Sequence, residues 1–170
     1  MPNNGVDEIE RRFLLKRRPY FPEWDHIYDI AQYYIKSGDI IKRLRSSMDI
    51  TPSKNLDDQY PITYEFLHKE PVSKGHFIEV PEPFEVSEVP ALMKQAFKYV
   101  TKTRFIHVAN GLKFEIDELE GIRLEVMEVE LKSIDQGIIF PKAIEDLIIA
   151  EITGLKGFSN FDLARPVPQI

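Results

Sequence analysis

Charge in this chain is sorted in steps of two. Glu8 and Glu10, Arg43 and Arg45, Lys102 and Arg104, Glu115 and Asp117, and Glu128 and Glu130 form five like-signed pairs, each split by a single residue. Successive side chains of a strand leave opposite faces, so each pair shares one face. The other faces carry Ile9, Phe13 and Leu15, then Leu112, Phe114 and Ile116, then Met127, Val129 and Leu131. For one strand taken alone, a charged face turned to water is the ordinary arrangement. Five strands sorted this way, with apolar residues opposite and helices to cover them, point to a closed barrel with its charge inside.

Period-two alternation recurs at Val6–Leu15, Ile30–Ile35, Ile40–Ser47, Ile62–Lys69, Gly75–Val80, Val100–Val108, Leu112–Asp117 and Ile122–Lys132, so about eight strands are expected. Turns fall at Lys36-Ser37-Gly38-Asp39, Asn110-Gly111 and Glu120-Gly121, with Asn110-Gly111 the clearest tight hairpin. Helices are predicted over Ser87–Tyr99, which has a Ser cap and a Pro in its first turn, and over Pro141–Ile152, where apolar spacing is near 3.6. A shorter helix is predicted over Asn160–Ala164, a packed aromatic loop or a helical turn over Tyr20–His26, a polar loop over residues 49–58, and an extended tail over Arg165–Ile170. A chain of 170 residues without repeat or linker reads as one domain, with its core over about residues 5–164.

Composition removes several classes of chemistry. There is no Cys, which excludes disulfides, thiolate zinc sites and a cysteine nucleophile. The four His residues show no HExxH spacing and are expected in surface or packing roles. No Gly-rich phosphate loop and no nucleophile elbow occur. A formal charge of −6 disfavours a broad nucleic-acid surface. No apolar run approaches the ~20 residues of a membrane span, and no apolar leader segment follows the first Met, so a cytoplasmic protein is expected.

A lumen lined by charges of both signs sets its own requirement. Crowded carboxylates repel unless a divalent cation lies between them. Crowded Arg and Lys need a polyanion. A phosphate chain carrying Mg²⁺ or Mn²⁺ supplies both.

At this point the sequence resembles the CYTH superfamily, the triphosphate tunnel metalloenzymes. Glu8-Ile9-Glu10-Arg11-Arg12 is similar to the family's first-strand Glu-x-Glu-x-Lys. Ala31-Gln32-Tyr33-Tyr34-Ile35 resembles its Gln-Gly-Tyr-Leu segment, and Arg43-Leu44-Arg45 its Arg-x-Arg strand. Lys69 falls where the family has a lumen Lys, and Lys102-Thr103-Arg104 resembles Lys-x-Arg. Phe114-Glu115-Ile116-Asp117 and Glu128-Val129-Glu130 resemble the late acidic strands. The chain departs from the pattern at Arg12, where the family has Lys, and at Gly75–Val80, where only Glu79 remains of a Glu pair. It departs again before Phe158-Ser159-Asn160, where an acidic residue is missing and Lys156 stands near the family's basic one.

The resemblance implies an α+β, mainly antiparallel β fold: a closed eight-stranded β tunnel with helices packed outside. It implies a phosphate grip from Arg12, Arg43, Arg45, Lys69, Lys102, Arg104 and Lys156. It implies metal ligands among Glu8, Glu10, Asp117, Glu128 and Glu130, with Glu10 and Glu130 binding directly and Mg²⁺ or Mn²⁺ as the cofactor. Arg12, Glu8 and Lys102 would stand nearest the chemistry. The implied activity is hydrolysis of a terminal phosphate from inorganic triphosphate or from a nucleoside or other organic triphosphate. The same resemblance admits a nucleotidyl cyclase, an RNA 5′-triphosphatase, or a tunnel that binds a phosphorylated nucleotide without turning it over. The expected partner is a triphosphate-bearing small molecule, with nucleic acid entering only as an RNA 5′ end. A monomer or homodimer is expected, with no membrane association.

Overall fold

Alternating side chains build a ring of strands. The computed structural model describes residues 4–52 and 60–168. In chain order the elements are β1 (Val6–Leu15), β2 (His26–Ser37), β3 (Ile40–Asp49), β4 (Ile62–Ser73) and β5 (His76–Pro81). A 3-10 turn at Val86–Glu88 leads into α1 (Val89–Gln95), β6 (Ala96–Ala109), β7 (Leu112–Leu119) and β8 (Glu125–Leu131). Then come α2 (Lys142–Glu145), β9 (Ile148–Glu151), α3 (Asn160–Leu163) and β10 (Arg165–Pro166). Hydrogen bonding runs β6-β2-β3-β4-β5-β1-β8-β7 and returns from β7 to β6, which closes an eight-stranded antiparallel barrel. Closure leaves no long sheet edge in the ring.

Register decides which side chains face inward, because residues directly opposite on antiparallel strands lie on one face. Glu10 lies opposite Glu130, and Arg12 opposite Glu128. Gln32 lies opposite Arg45, Arg45 opposite Glu65, and Lys69 opposite Glu79. Arg104 lies opposite Asp117, and Glu115 opposite Glu128. The polar face therefore runs around the interior, interrupted between β2 and β6 where Gln32 lies opposite Val100.

The outward faces carry two apolar cores. Phe13, Leu15, Phe114, Ile116, Met127 and Val129 are covered by Ile144, Phe140, Phe21 and Trp24. Ile35, Leu44, Phe66 and Ala96 are covered by Val89 and Leu92 of α1. A third core lies inside the barrel. There Leu14, Tyr34, Val100, Leu119 and Val126 from inward positions pack against Phe158, Phe161 and Leu163 of the C-terminal segment. One end of the tunnel is thus filled by α3 and the turn before it.

Two helices are much shorter than the sequence predicts. The helix expected over Ser87–Tyr99 stops at Gln95, because Ala96 already pairs with Ile35 and Tyr99 with Tyr33 in the β2–β6 ladder. The helix expected over Pro141–Ile152 covers Lys142–Glu145, after which Ile148–Glu151 pairs with β1 as β9. In both places apolar residues compatible with a helical period were also compatible with a strand, and an open ladder decided the outcome. Asn160–Leu163 is helical as predicted, capped by Ser159, whose hydroxyl accepts from the Asp162 amide at 3.0 Å. Asn110 and Gly111 both have positive φ, 53° and 75°, as a tight hairpin turn requires. Residues 53–58 of the expected polar loop lie outside the described residues. Among the described residues no helix is long and apolar enough to cross a membrane.

The ring has one seam. β1 pairs with β5 only over Val6–Ile9 and with β9 only over Phe13–Leu15. Between them the Gly75 carbonyl accepts the Glu10 amide at 2.9 Å. Gly75 sits at φ +73°, and a Cβ there would come within 2.6 Å of the Glu10 carbonyl oxygen. Gly75→Ala is expected to cost about 1–3 kcal/mol of unfolding free energy in urea denaturation, and a stability equal to the unmutated chain would remove Gly75 from the seam.

Candidate active site in the tunnel

The barrel encloses a cavity of about 640 Å³. From the predicted basic set, Arg12, Arg43, Arg45, Lys69, Arg104 and Lys156 line it. From the predicted acidic set, Glu8, Glu10, Glu128 and Glu130 line it. Lys102 and Asp117 do not reach the cavity. Their side chains are 0% and 1% exposed and pair with each other at 2.6 Å in the floor beneath it.

The floor is a cross-braced ion network. Arg104 grips Asp117 in a fork, Nε to Oδ1 at 2.7 Å and Nη2 to Oδ2 at 2.8 Å. It also donates to Glu128 at 2.9 Å and pairs with Glu115 at 2.7 Å. Arg12 closes the network through Glu128 at 2.6 Å and donates to the Phe158 carbonyl at 2.8 Å. Asn160 accepts from Lys102 at 3.3 Å and donates to Glu128 at 3.4 Å. Burial alone would raise the carboxyls of Glu128 and Asp117. Arg104 with Arg12 holds Glu128 well below the usual carboxylate range, and Arg104 with Lys102 lowers Asp117. Lys102 moves the other way: burial and the neighbouring Arg104 bring its ammonium down to about 8. Bidentate Arg pairs of this kind set orientation as well as charge.

The upper half of the cavity is less balanced. Lys69 donates to Glu8 and stands 3.5 Å from Glu79. Among the described residues Glu10 has one distant pairing, with Arg12 at 3.9 Å. Burial, then the charges of Glu128 and Glu8, push the Glu10 carboxyl up to about 8. Burial and a hydrogen bond with Glu8 push Glu79 up to about 7. Both carboxyls therefore hold protons near neutrality, which marks an excess of carboxylate over local cation.

Across the cavity stand the arginines of β3. Arg45 donates to Gln32 Oε1 from Nε at 3.1 Å and from Nη2 at 2.9 Å. Arg43 donates to Glu65, a partly exposed carboxylate at the rim. Arg43 Nε is buried and has no hydrogen-bond partner among the described residues. A buried donor left unsatisfied costs about 1–3 kcal/mol.

Several lining groups were not singled out from sequence. Glu65 and Tyr34 line the cavity, and so does Thr153. Glu65 shares the parity of Lys69 on β4, a signal visible in the sequence. Glu115, open to two readings there, is luminal and paired with Arg104. The histidines fill packing and pairing roles: His107 stacks on Phe21 at 3.8 Å, and His68 lies 2.7 Å from Glu82. Trp24 packs in the outer core against Phe105. Among the described residues no three His, Asp or Glu side chains already form an ion cage.

With this geometry in place, similar solved structures gain meaning. Two crystal structures of NE1496, described in one case as a hypothetical protein and in the other as an inorganic triphosphatase, are 27% and 26% identical to this chain. Each comparison covers 95% of this chain and 99% of the other, with a TM-score of 0.57. A conserved hypothetical protein from Pyrococcus furiosus, 20% identical, shares the fold over 74% of this chain and 79% of its own, with a TM-score of 0.50. No family model and no curated protein matches the chain.

Two outcomes test the electrostatics directly. Asp117→Ala leaves Lys102 and Arg104 buried beside each other and is expected to cost about 3–5 kcal/mol, read by chemical denaturation. The second concerns pH. Glu10 and Glu79 bind their protons more tightly folded than unfolded, so their stabilising contribution is complete below about pH 4.5 and is lost as pH rises through about 7 to 8. In metal-free buffer the Tm should fall between about pH 5 and 8, and Glu10→Gln should flatten that decline. An unchanged slope in the variant would show that Glu10 titrates normally.

Proposed function

We propose, from the premise that the chain belongs to the CYTH superfamily of triphosphate tunnel proteins, that it is a divalent-metal-dependent triphosphatase. Its substrate is inorganic triphosphate or a nucleoside or other organic triphosphate. The observation that carries this reading is the convergence of Arg12, Arg43, Arg45 and Lys69 on one cavity with Glu8, Glu10 and Glu130. The NE1496 inorganic triphosphatase, 26% identical over 95% of this chain, supports it.

Each group has a part set by its surroundings. Arg43 and Arg45, backed by Gln32, would take phosphate oxygens from one wall. Arg12 and Lys69 would take them from the other, each tied to a carboxylate on its far side. Arg104, Lys102 and Asp117 would hold the floor in register beneath them. Phosphoryl transfer asks little covalent chemistry of a protein, so alignment and charge stabilisation are the main contributions.

The donor set fits a hard cation. It offers carboxylate oxygens, and the upward shifts of Glu10 and Glu79, driven by burial and neighbouring carboxylates, support an excess of negative charge there. Glu8, Glu10 and Glu130 would hold Mg²⁺ or Mn²⁺, with Glu128 behind them. The bound ion would draw charge from the phosphate oxygens and acidify a water.

Arg12 favours a second reading. Guanidinium does not give up its proton, so it grips phosphate without serving as a base. A tunnel that binds a phosphorylated ligand without hydrolysing it is compatible with that.

The deciding assay is phosphate release from inorganic tripolyphosphate, ATP and GTP with Mg²⁺ or Mn²⁺. Release abolished by EDTA is the expected result. Tight binding without release under either metal would establish the second reading, and neither binding nor release would overturn both. Glu10→Gln combined with Glu130→Gln should abolish metal-dependent release while the protein stays folded by circular dichroism. An unfolded double variant would make those carboxylates structural.

A further inference from the structure

The seam in the barrel places one hydroxyl where a strand should be. β9 would continue its ladder past Glu151 by giving the Ile152 carbonyl to the Arg12 amide. The Ile152 amide does donate to the Arg12 carbonyl at 2.8 Å. The Ile152 carbonyl, however, accepts from the Leu155 amide at 3.0 Å, in a turn with Gly154 at φ +69°. That turn carries the chain away to build the segment 154–162, residues of which line the cavity. The Arg12 amide is left without a ladder acceptor.

Thr153 fills the vacancy. Its hydroxyl oxygen accepts from the Arg12 amide at 2.9 Å. Its own proton goes to Glu151 Oε1 at 2.9 Å. Glu151 is fixed in turn by Arg11, Nε to Oε1 and Nη2 to Oε2, both at 2.8 Å. The hydroxyl rotor is thus set from outside the barrel, and its lone pair points at the amide. Thr153 is 3% exposed, and only a short side chain with both donor and acceptor satisfies the two neighbours at once.

We infer that Thr153 is a positioning residue for Arg12, holding the tunnel strand where the Arg12 carbonyl takes the Ile152 amide but the Arg12 amide takes a side-chain oxygen in place of a ladder carbonyl. The inference rests on the proposed function, because Arg12 matters there as a phosphate ligand. Without the hydroxyl, a buried amide is unsatisfied and β1 gains freedom between Glu10 and Phe13. The Arg12 guanidinium then loses its fixed approach to Glu128 and to the cavity.

The experiment is a double-mutant cycle read by calorimetric titration of inorganic tripolyphosphate in EDTA, where no turnover intrudes. Thr153→Val is isosteric and removes the hydroxyl. It should weaken binding about tenfold, and Thr153→Ser should restore most of the loss. In an Arg12→Ala background Thr153→Val should have no further effect. A loss of equal size in both backgrounds, or no loss in the unmutated one, overturns the inference. Should Thr153→Val not fold, Glu151→Ala outside the cavity frees the rotor and should weaken binding in the same direction; unchanged affinity there is equally contrary. If the unmutated chain fails to bind tripolyphosphate or release phosphate from it, the proposed function falls instead.

Discussion

A charge removed from water costs several kcal/mol unless an opposite charge stands beside it. This chain places charged side chains from seven of the eight strands of the barrel on its inward face, β2 contributing Gln32 and Tyr34 instead. The arrangement holds because the floor pairs its charges closely. Asp117 and Glu128 lie between Arg104, Lys102 and Arg12, and every one of these contacts is shorter than 3 Å. Toward the cavity the pairing loosens. Glu10 and Glu79 are pushed up toward neutrality by burial and neighbouring carboxylates, and Arg43 Nε has no acceptor among the described residues. Imbalance therefore sits where a ligand would enter, on both signs of charge at once.

The barrel's irregularities serve the same end. A uniform ring would leave the tunnel open and its charges hydrated. Instead the C-terminal segment leaves the β1 edge, turns at Gly154, and lays Phe158 and Phe161 against the inward apolar residues. The same segment offers the Phe158 carbonyl to Arg12 and the Asn160 amide to Glu128. Enclosure lowers the local dielectric, so each charge in the cavity acts more strongly than it would in water. Its structural cost falls on the seam at β1, which is held by the Gly75 carbonyl and the Thr153 hydroxyl.

Much of this was legible in the sequence because strand parity is a strict rule. Once Glu8, Glu10 and Arg12 are assigned to one face, the same arithmetic assigns Arg43, Arg45, Arg104 and Glu128, and the cavity contains all of them. Parity does not say how deep a side chain sits. Lys102 and Asp117 share the face yet lie below the cavity, paired to each other. Helix length is not legible where the local pattern suits helix and strand alike. Ile148-Ile149-Ala150-Glu151 fits a helix by spacing and a strand by β-branching, and only the vacant edge of β1 chooses between them. Thr153 carries no local signal, since its role arises from a backbone amide remote in sequence.

The central claim is that the two charge sets are complementary to one composite ligand, a polyphosphate with a divalent cation. Thermal unfolding monitored with Mn²⁺ alone, with inorganic tripolyphosphate alone and with both together measures this most directly, because a ligand that binds only the folded state raises Tm by mass action. The account predicts a rise with the pair that exceeds the sum of the separate rises, reflecting coupled binding. A Tm indifferent to the pair, or raised no more than the two separate effects add up to, would contradict it.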